Sequence, residues 1–155
     1  MGASWEAMQA TFDATCVFCQ IAAGTLPAAI VYETGDLVAF LDTRPLFPGH
    51  CLIIPRPHFE TLTELPEDRV APLFTAARLL TAAVETACDA EGSFVAINNR
   101  VSQSVPHLHV HIVPRRRKDG LRGFFWPRLK YGDIKEFEKT HISLRLAVER
   151  LLQSN

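Results

Sequence analysis

Three histidines stand at alternate positions in Pro106-His107-Leu108-His109-Val110-His111-Ile112-Val113. In an extended strand, successive side chains point to opposite faces, so the three imidazoles share one face at about 6.5–7 Å per step. Leu108, Val110 and Ile112 then enter a core on the other face and pin the register. A single strand histidine is most often a satisfied structural residue, whereas three in alternation point to chemistry. Neutral imidazoles bind metal ions, and an imidazole nitrogen also acts as nucleophile or proton carrier near neutral pH. The spacing alone supports both uses.

Cys16 and Cys19 have the C-x-x-C spacing, which lets two thiolates share one metal ion or form a redox pair. Cys51 and Cys88 read as small buried hydrophobes.

The elements that must position these groups are legible from periodicity. Cys16 to Ala23 reads as a short helix stopped at Gly24. Ala29 to Glu33 and Leu37 to Leu41 read as strands of a hairpin around Thr34-Gly35-Asp36, and Cys51 to Ile54 as a third strand. Val70, Leu73, Phe74, Ala77, Leu80, Val84, Ala87 and Cys88 recur every three or four residues, which predicts a long amphipathic helix over Glu67 to Ala90 covering one sheet face. Ser93 to Asn98 and Leu108 to Val113 complete five strands, with the polar loop Asn99 to Val105 between them. Ile134, Phe137, His141, Leu144, Val148 and Leu151 predict a C-terminal helix, with His141 packing on its apolar seam. Trp5, Met8 and Phe12 allow a further small helix in the first 14 residues. Grouped helices and short strand links indicate an α+β fold with an antiparallel sheet.

The 155 residues suit a single domain, with a core over about 16–115 and a C-terminal extension over 116–155. Sixteen basic against 17 acidic residues give a net charge of −1, with no general attraction to DNA or RNA. No 18-residue apolar stretch is apparent, and the first 15 residues carry Glu6 and Asp13 without an apolar signal core. With four cysteines, these features lead us to expect a cytoplasmic protein without a membrane partner.

The triad followed by Ile112-Val113 resembles the signature of the histidine triad (HIT) family of nucleotide hydrolases and transferases. Four further segments occur in the matching order: Cys16-Val17-Phe18-Cys19, Ala39-Phe40-Leu41-Asp42, Gly49-His50-Cys51-Leu52-Ile53-Ile54-Pro55 and Gln103-Ser104-Val105-Pro106. The resemblance runs from about Cys16 to Arg115.

It implies the HIT-like fold, a five-stranded antiparallel sheet with one long helix on it, and a hydrolase that cleaves a nucleoside 5′-phosphoryl bond. The substrate class is a dinucleoside polyphosphate or a nucleoside phosphoramidate. His109 is implied as the nucleophile that forms a nucleotidyl-histidine, His111 as the holder of a phosphate oxygen, and His50 as support from behind. Gln103 and Ser104 are implied at the transferring phosphate or leaving group. Asp42 is implied to accept the ribose hydroxyls, and Phe18, Ile21, Leu41 and Thr43 to sandwich a purine. Asn98 and Asn99 stand where phosphate contacts are implied, although Asn99-Arg100-Val101-Ser102 departs from the longer Gly- and Glu-containing stretch common in the family.

A zinc-containing subset of the family binds the metal through the cysteine pair, the histidine after the Ile-Ile-Pro strand and the first triad histidine. Those residues here are Cys16, Cys19, His58 and His107. A Cys₂His₂ set is closed, so the implied zinc is structural. The resemblance also implies a homodimer. His111, where transferring branches often carry Gln, favours hydrolysis; transfer to phosphate, nucleotide binding with weak turnover, and an ion held by all three triad histidines are the alternatives. Arg115-Arg116-Arg117-Lys118 offers local positive potential for a polyphosphate, and Gly123-Phe124-Phe125-Trp126-Pro127 is an aromatic segment suited to closing a site or packing at a dimer interface.

Overall fold

The structure, a computed structural model, describes residues 12–121 and 130–153. The chain divides into two compact units between Asp119 and Gly120. The expected N-terminal helix and the aromatic segment 123–127 lie almost entirely outside the described residues.

The first unit contains helix α1 (Val17–Ala22), strands β1 (Ile30–Glu33), β2 (Leu37–Leu41) and β3 (Cys51–Pro55), helix α2 (Glu67–Ala87), and strands β4 (Gly92–Ala96) and β5 (Val110–Arg115). The strands form one sheet in the order β1-β2-β3-β5-β4, and every pair is antiparallel. This is the expected α+β architecture. The unbroken apolar runs Leu37–Leu41 and Cys51–Pro55 arise because the central strands are covered on both faces.

One face packs Leu37, Ala39, Cys51, Ile53, Leu108, Val110 and Ile112 against Leu73, Ala76, Ala77, Leu80 and Val84 of α2. The other packs Val38, Phe40, Leu52 and Ile54 against Cys16, Phe18, Cys19 and Ala22 of the α1 segment. Burying each large aliphatic side chain stabilises the fold by roughly 1.5–3 kcal/mol relative to exposure. Leu52 pairs with His111 across β3 and β5, so the histidines emerge on the α1 side while α2 secures the strand from behind.

Several boundaries differ from the sequence expectation. β5 begins at Val110 rather than Leu108, because the Leu108 N–H donates to the Phe59 carbonyl at 2.6 Å, away from the ladder. β4 stops at Ala96 and leaves Asn98 in the loop. α2 ends at Ala87, and Asp89 follows with φ +48°, a reversal the helix cannot continue through. Phe74, expected on the buried seam, is 42% exposed; at 100° per residue it lies to one side of the Leu73, Ala77, Leu80 and Val84 stripe. By length and composition α2 is also long and apolar enough to cross a membrane, contrary to the sequence expectation. Its apolar seam is instead packed on the sheet.

The second unit contains α3 (Ile134–Gln153). Asp133 starts it, its Oδ1 accepting the Glu136 N–H at 2.8 Å. Within this unit Ile134, Phe137 and Leu144 are exposed, and so is His141, expected on a packed seam.

The turn into β3 places Gly49 at φ +98°, where a Cβ would stand 2.3 Å from Cys88 Sγ. Gly49→Ala thus combines left-handed strain with overpacking and is expected to cost about 2–3 kcal/mol. Adding Cys88→Ala should relieve the steric part alone. Denaturant unfolding of the single and double variants checks both effects, and full recovery in the double variant would show that backbone strain contributes nothing.

Candidate active site and metal cluster

His109 immediately precedes β5 and is only 2% exposed. Its ring meets Phe18 edge-on, with centroids 5.2 Å apart, and lies 4.8 Å from the ring of His111. The His109 Nδ1–H donates to the His107 carbonyl at 2.6 Å. In the neutral ring that bond assigns the proton to Nδ1 and leaves the lone pair on Nε2. No buried side-chain nitrogen lacks a partner among the described residues, and Nε2 makes no hydrogen bond among them, so Nε2 reaches solvent. A nucleophilic imidazole requires this arrangement, one nitrogen anchored and the other open.

A second chain of bonds sets the tautomer of His111. The Leu46 N–H donates to His50 Nδ1 at 3.2 Å, so a neutral His50 carries its proton on Nε2. That Nε2–H donates to His111 Nδ1 at 3.0 Å, which leaves the His111 proton on Nε2 as an available donor. Asp42 Oδ2 stands 3.6 Å from His50 Nδ1, a Coulombic neighbour rather than a hydrogen-bond partner.

Burial disfavours the charged form of these rings. It lowers the His109 and His50 pKa values, with Asp42 opposing in each case. Burial, aided by His109 and His50, pushes His111 down to about 4. The imidazole of an unfolded chain accepts a proton near pH 6.5. Between about 6.5 and 4 the unfolded state therefore binds more protons, and stability falls as the pH is lowered through that window. His111 alone contributes on the order of 3 kcal/mol at most. Urea midpoints measured from pH 7.5 to 4 should fall, and His111→Asn should flatten the fall; parallel curves for the two proteins would contradict this assignment.

Immediately beside the triad lies a second cluster. The His107 Nε2–H donates to the Pro55 carbonyl at 2.8 Å, so its Nδ1 lone pair faces the cysteines. His107 Nδ1 is 3.4 Å from Cys16 Sγ and 3.5 Å from Cys19 Sγ, and His58 Nδ1 is 3.3 Å from Cys19 Sγ. Nitrogen and sulfur ligands on one tetrahedral ion are separated by about 3.5 Å. Cys16, Cys19, His58 and His107 thus fit a single metal ion, with all four ligand atoms within 4.8 Å of one another. Burial pushes the Cys19 thiol up to about 11 and His107 down to about 4; a dication would displace the thiol protons. His107 also supplies the carbonyl that anchors His109, so the cluster and the open imidazole are joined through one residue.

Residues 23–118 match the model of the HIT domain. The chain belongs to the HIT family. Among its HIT relatives, an adenosine 5′-monophosphoramidase of Candida albicans is 31% identical, over 85% of this chain and 90% of the relative. An adenylylsulfatase of Arabidopsis thaliana is 37% identical, over 72% of this chain and 57% of the relative. A bis(5′-nucleosyl)-tetraphosphatase of Schizosaccharomyces pombe is 34% identical, over 76% and 63% respectively. In structure, a histidine triad nucleotide-binding protein of Candida albicans aligns with TM-score 0.76 and 29% identity over 88% of this chain and 99% of that one. A zinc-bound HIT protein of Mycobacterium smegmatis aligns with TM-score 0.66 and 35% identity over 91% and 98%.

The other positions singled out in the sequence of this HIT protein fall in two groups. Asp42, half-buried, lies within reach of His50, and the exposed Leu41 and Thr43 flank it. Phe18 is buried against His109 and Phe40, with Ile21 packed on the same cluster. The loop residues instead bond mainly to one another and to the segment before α2. Gln103 accepts the Arg100 N–H and donates to the Glu60 carbonyl at 2.6 Å. Asn99 Oδ1 accepts the Leu62 N–H, and Asn98 donates to the Ser102 carbonyl. Ser104 is exposed.

The arginines of the basic run have local partners. Arg115 binds Asp119, Arg116 donates to the Cys88 carbonyl, and Arg117 stands 3.6 Å from Glu91. Sequence reasoning missed the carbonyls of Pro55 and His107 and the Leu46 amide, because backbone partners leave no side-chain signal. It also missed Arg56, which ties α1 to the hairpin through the Ala22 and Thr34 carbonyls and Glu33. Arg56→Ala should lower stability by about 1–2 kcal/mol, checked by thermal unfolding.

Proposed function

We propose that this HIT protein is a nucleotide hydrolase that cleaves a nucleoside 5′-phosphoryl bond through a nucleotidyl-His109 intermediate. The observation that carries the reading is the anchored Nδ1 and open Nε2 of His109. Nε2 attacks the α-phosphorus, and the leaving group departs with the electrons of its bond to phosphorus. Water then breaks the phosphorus–nitrogen bond and releases the nucleoside monophosphate. His111 Nε2–H donates to a phosphate oxygen, held in that tautomer by His50.

Asp42 accepts the ribose hydroxyls, and Phe18, Ile21, Leu41 and Thr43 frame the purine. Ser104 meets the phosphate or leaving group, while Gln103, Asn98 and Asn99 act by holding the loop in place. The metal is zinc, bound by two thiolates and two imidazoles with no position left for substrate, so its role is to fasten α1 to the sheet. The protein is a cytoplasmic homodimer; the four free cysteines suit a reducing compartment, and outer strand β4, with Val95 exposed, is the edge that a second copy would extend.

The test is incubation with an adenosine 5′-phosphoramidate and with diadenosine polyphosphates, wild type beside His109→Ala, followed by chromatography of released nucleotide. AMP or another adenine nucleotide released by the wild type alone supports the proposal. AMP binding without turnover on any substrate would replace it with a binding function.

A further inference from the structure

His50, His111 and Asp42 offer three metal-ligand atoms within 4.8 Å of one another, a grouping distinct from the cysteine cluster. His50 Nε2 and His111 Nδ1 are 3.0 Å apart. Two imidazole nitrogens bound at about 2.1 Å to one ion are separated by about 3.0 Å at an octahedral angle and about 3.4 Å at a tetrahedral one, so the pair needs to part by no more than a few tenths of an ångström. A carboxylate completes a two-imidazole, one-carboxylate set, the kind that leaves positions open on the ion. Asp42 is the flexible member, its side chain 21% exposed, while His50 is 3% exposed and held by the Leu46 amide.

We propose that Asp42, His50 and His111 form a second site for a borderline divalent ion such as Zn²⁺, weaker than the cysteine cluster and competing with nucleotide for Asp42. Its weakness follows from protons and bonds already in place. The proton on His50 Nε2 must move to Nδ1 or leave, and the Leu46 N–H then loses its acceptor. The ion must also draw in a carboxylate whose other oxygen accepts the Arg44 N–H. Competition with nucleotide follows because Asp42 serves both ligands, whereas His111 meets the ion through Nδ1 and keeps its Nε2–H on the opposite side of the ring; that clause alone rests on the hydrolase reading.

The experiment is calorimetric titration of Zn²⁺ into the full chain already loaded with one equivalent. Wild type should take up a second equivalent with lower affinity. Asp42→Asn should weaken that step about tenfold or more, His50→Gln should abolish it, and Cys16→Ser/Cys19→Ser should remove only the first, tighter equivalent. Saturating AMP should suppress the second step. A single equivalent in the wild type overturns the site, and so does a second equivalent indifferent to Asp42→Asn. Since Asp42 is partly exposed and the change is isosteric, that variant decides the matter even if His50→Gln fails to fold. Binding is read without turnover, so a protein that is inactive with one equivalent of zinc and still takes up a second would reject the hydrolase reading and leave this one standing.

Discussion

Replacing His109 by alanine is expected to lower turnover on the order of 10⁴-fold or more, since the bond-forming atom itself is removed. The loss should appear in kcat and kcat/KM together, while AMP binding should persist. Some destabilisation accompanies it, because the ring is 2% exposed and packed edge-on against Phe18; truncation leaves a small void worth about 1–3 kcal/mol. His111→Ala is the informative companion. If His111 only donates a hydrogen bond, its loss should cost about 10²–10³-fold and leave the covalent step operating. Equal losses in the two variants would mean that the two imidazoles act as one unit. Single-turnover kinetics with an adenosine phosphoramidate checks the ordering.

Stripping the metal should produce the largest change in stability. The cluster unites the α1 segment through Cys16 and Cys19, the segment after β3 through His58, and the approach to β5 through His107. Without a dication the Cys19 thiol holds its proton, burial having raised it to about 11, and the cross-link becomes a set of weak sulfur–nitrogen contacts. Structural zinc sites contribute several kcal/mol to folding, so a chelator or Cys16→Ser should lower the unfolding temperature by on the order of 10 °C or more. Activity should fall as well, because the carbonyl that fixes the His109 tautomer belongs to His107. Unfolding scans with and without chelator, followed by zinc add-back, test this; a chelated protein with unchanged melting and activity would show that the four residues hold no metal.

How much of this was legible in the sequence depended on which atoms carry the information. The alternation of His107, His109 and His111 with Leu108, Val110 and Ile112 fixed a face and a register, and the two cores lie as that alternation requires. The apolar runs of β2 and β3 were visible because both sheet faces are covered. His58 could not be singled out by spacing; only the family resemblance connected it to Cys19, 39 positions away. The tautomers were hidden because the Leu46 amide and the His107 and Pro55 carbonyls set them, and any residue type supplies those groups. Gln103 shows the opposite difficulty. The resemblance implied a place for it at the transferring phosphate, and its amide also closes the loop between Arg100 and Glu60, a use that depends on chain path rather than composition.

The central claim is that His109 Nε2 carries the nucleotide, and the most direct measurement is to catch it there. Wild-type protein mixed with excess adenosine 5′-phosphoramidate and quenched within milliseconds should yield, under conditions that preserve phosphorus–nitrogen bonds, a peptide spanning His107 to His111 heavier by one adenylyl group and absent from His109→Ala. Turnover by the wild type with no adenylylated peptide at any quench time, or with the label on another residue, would contradict the account.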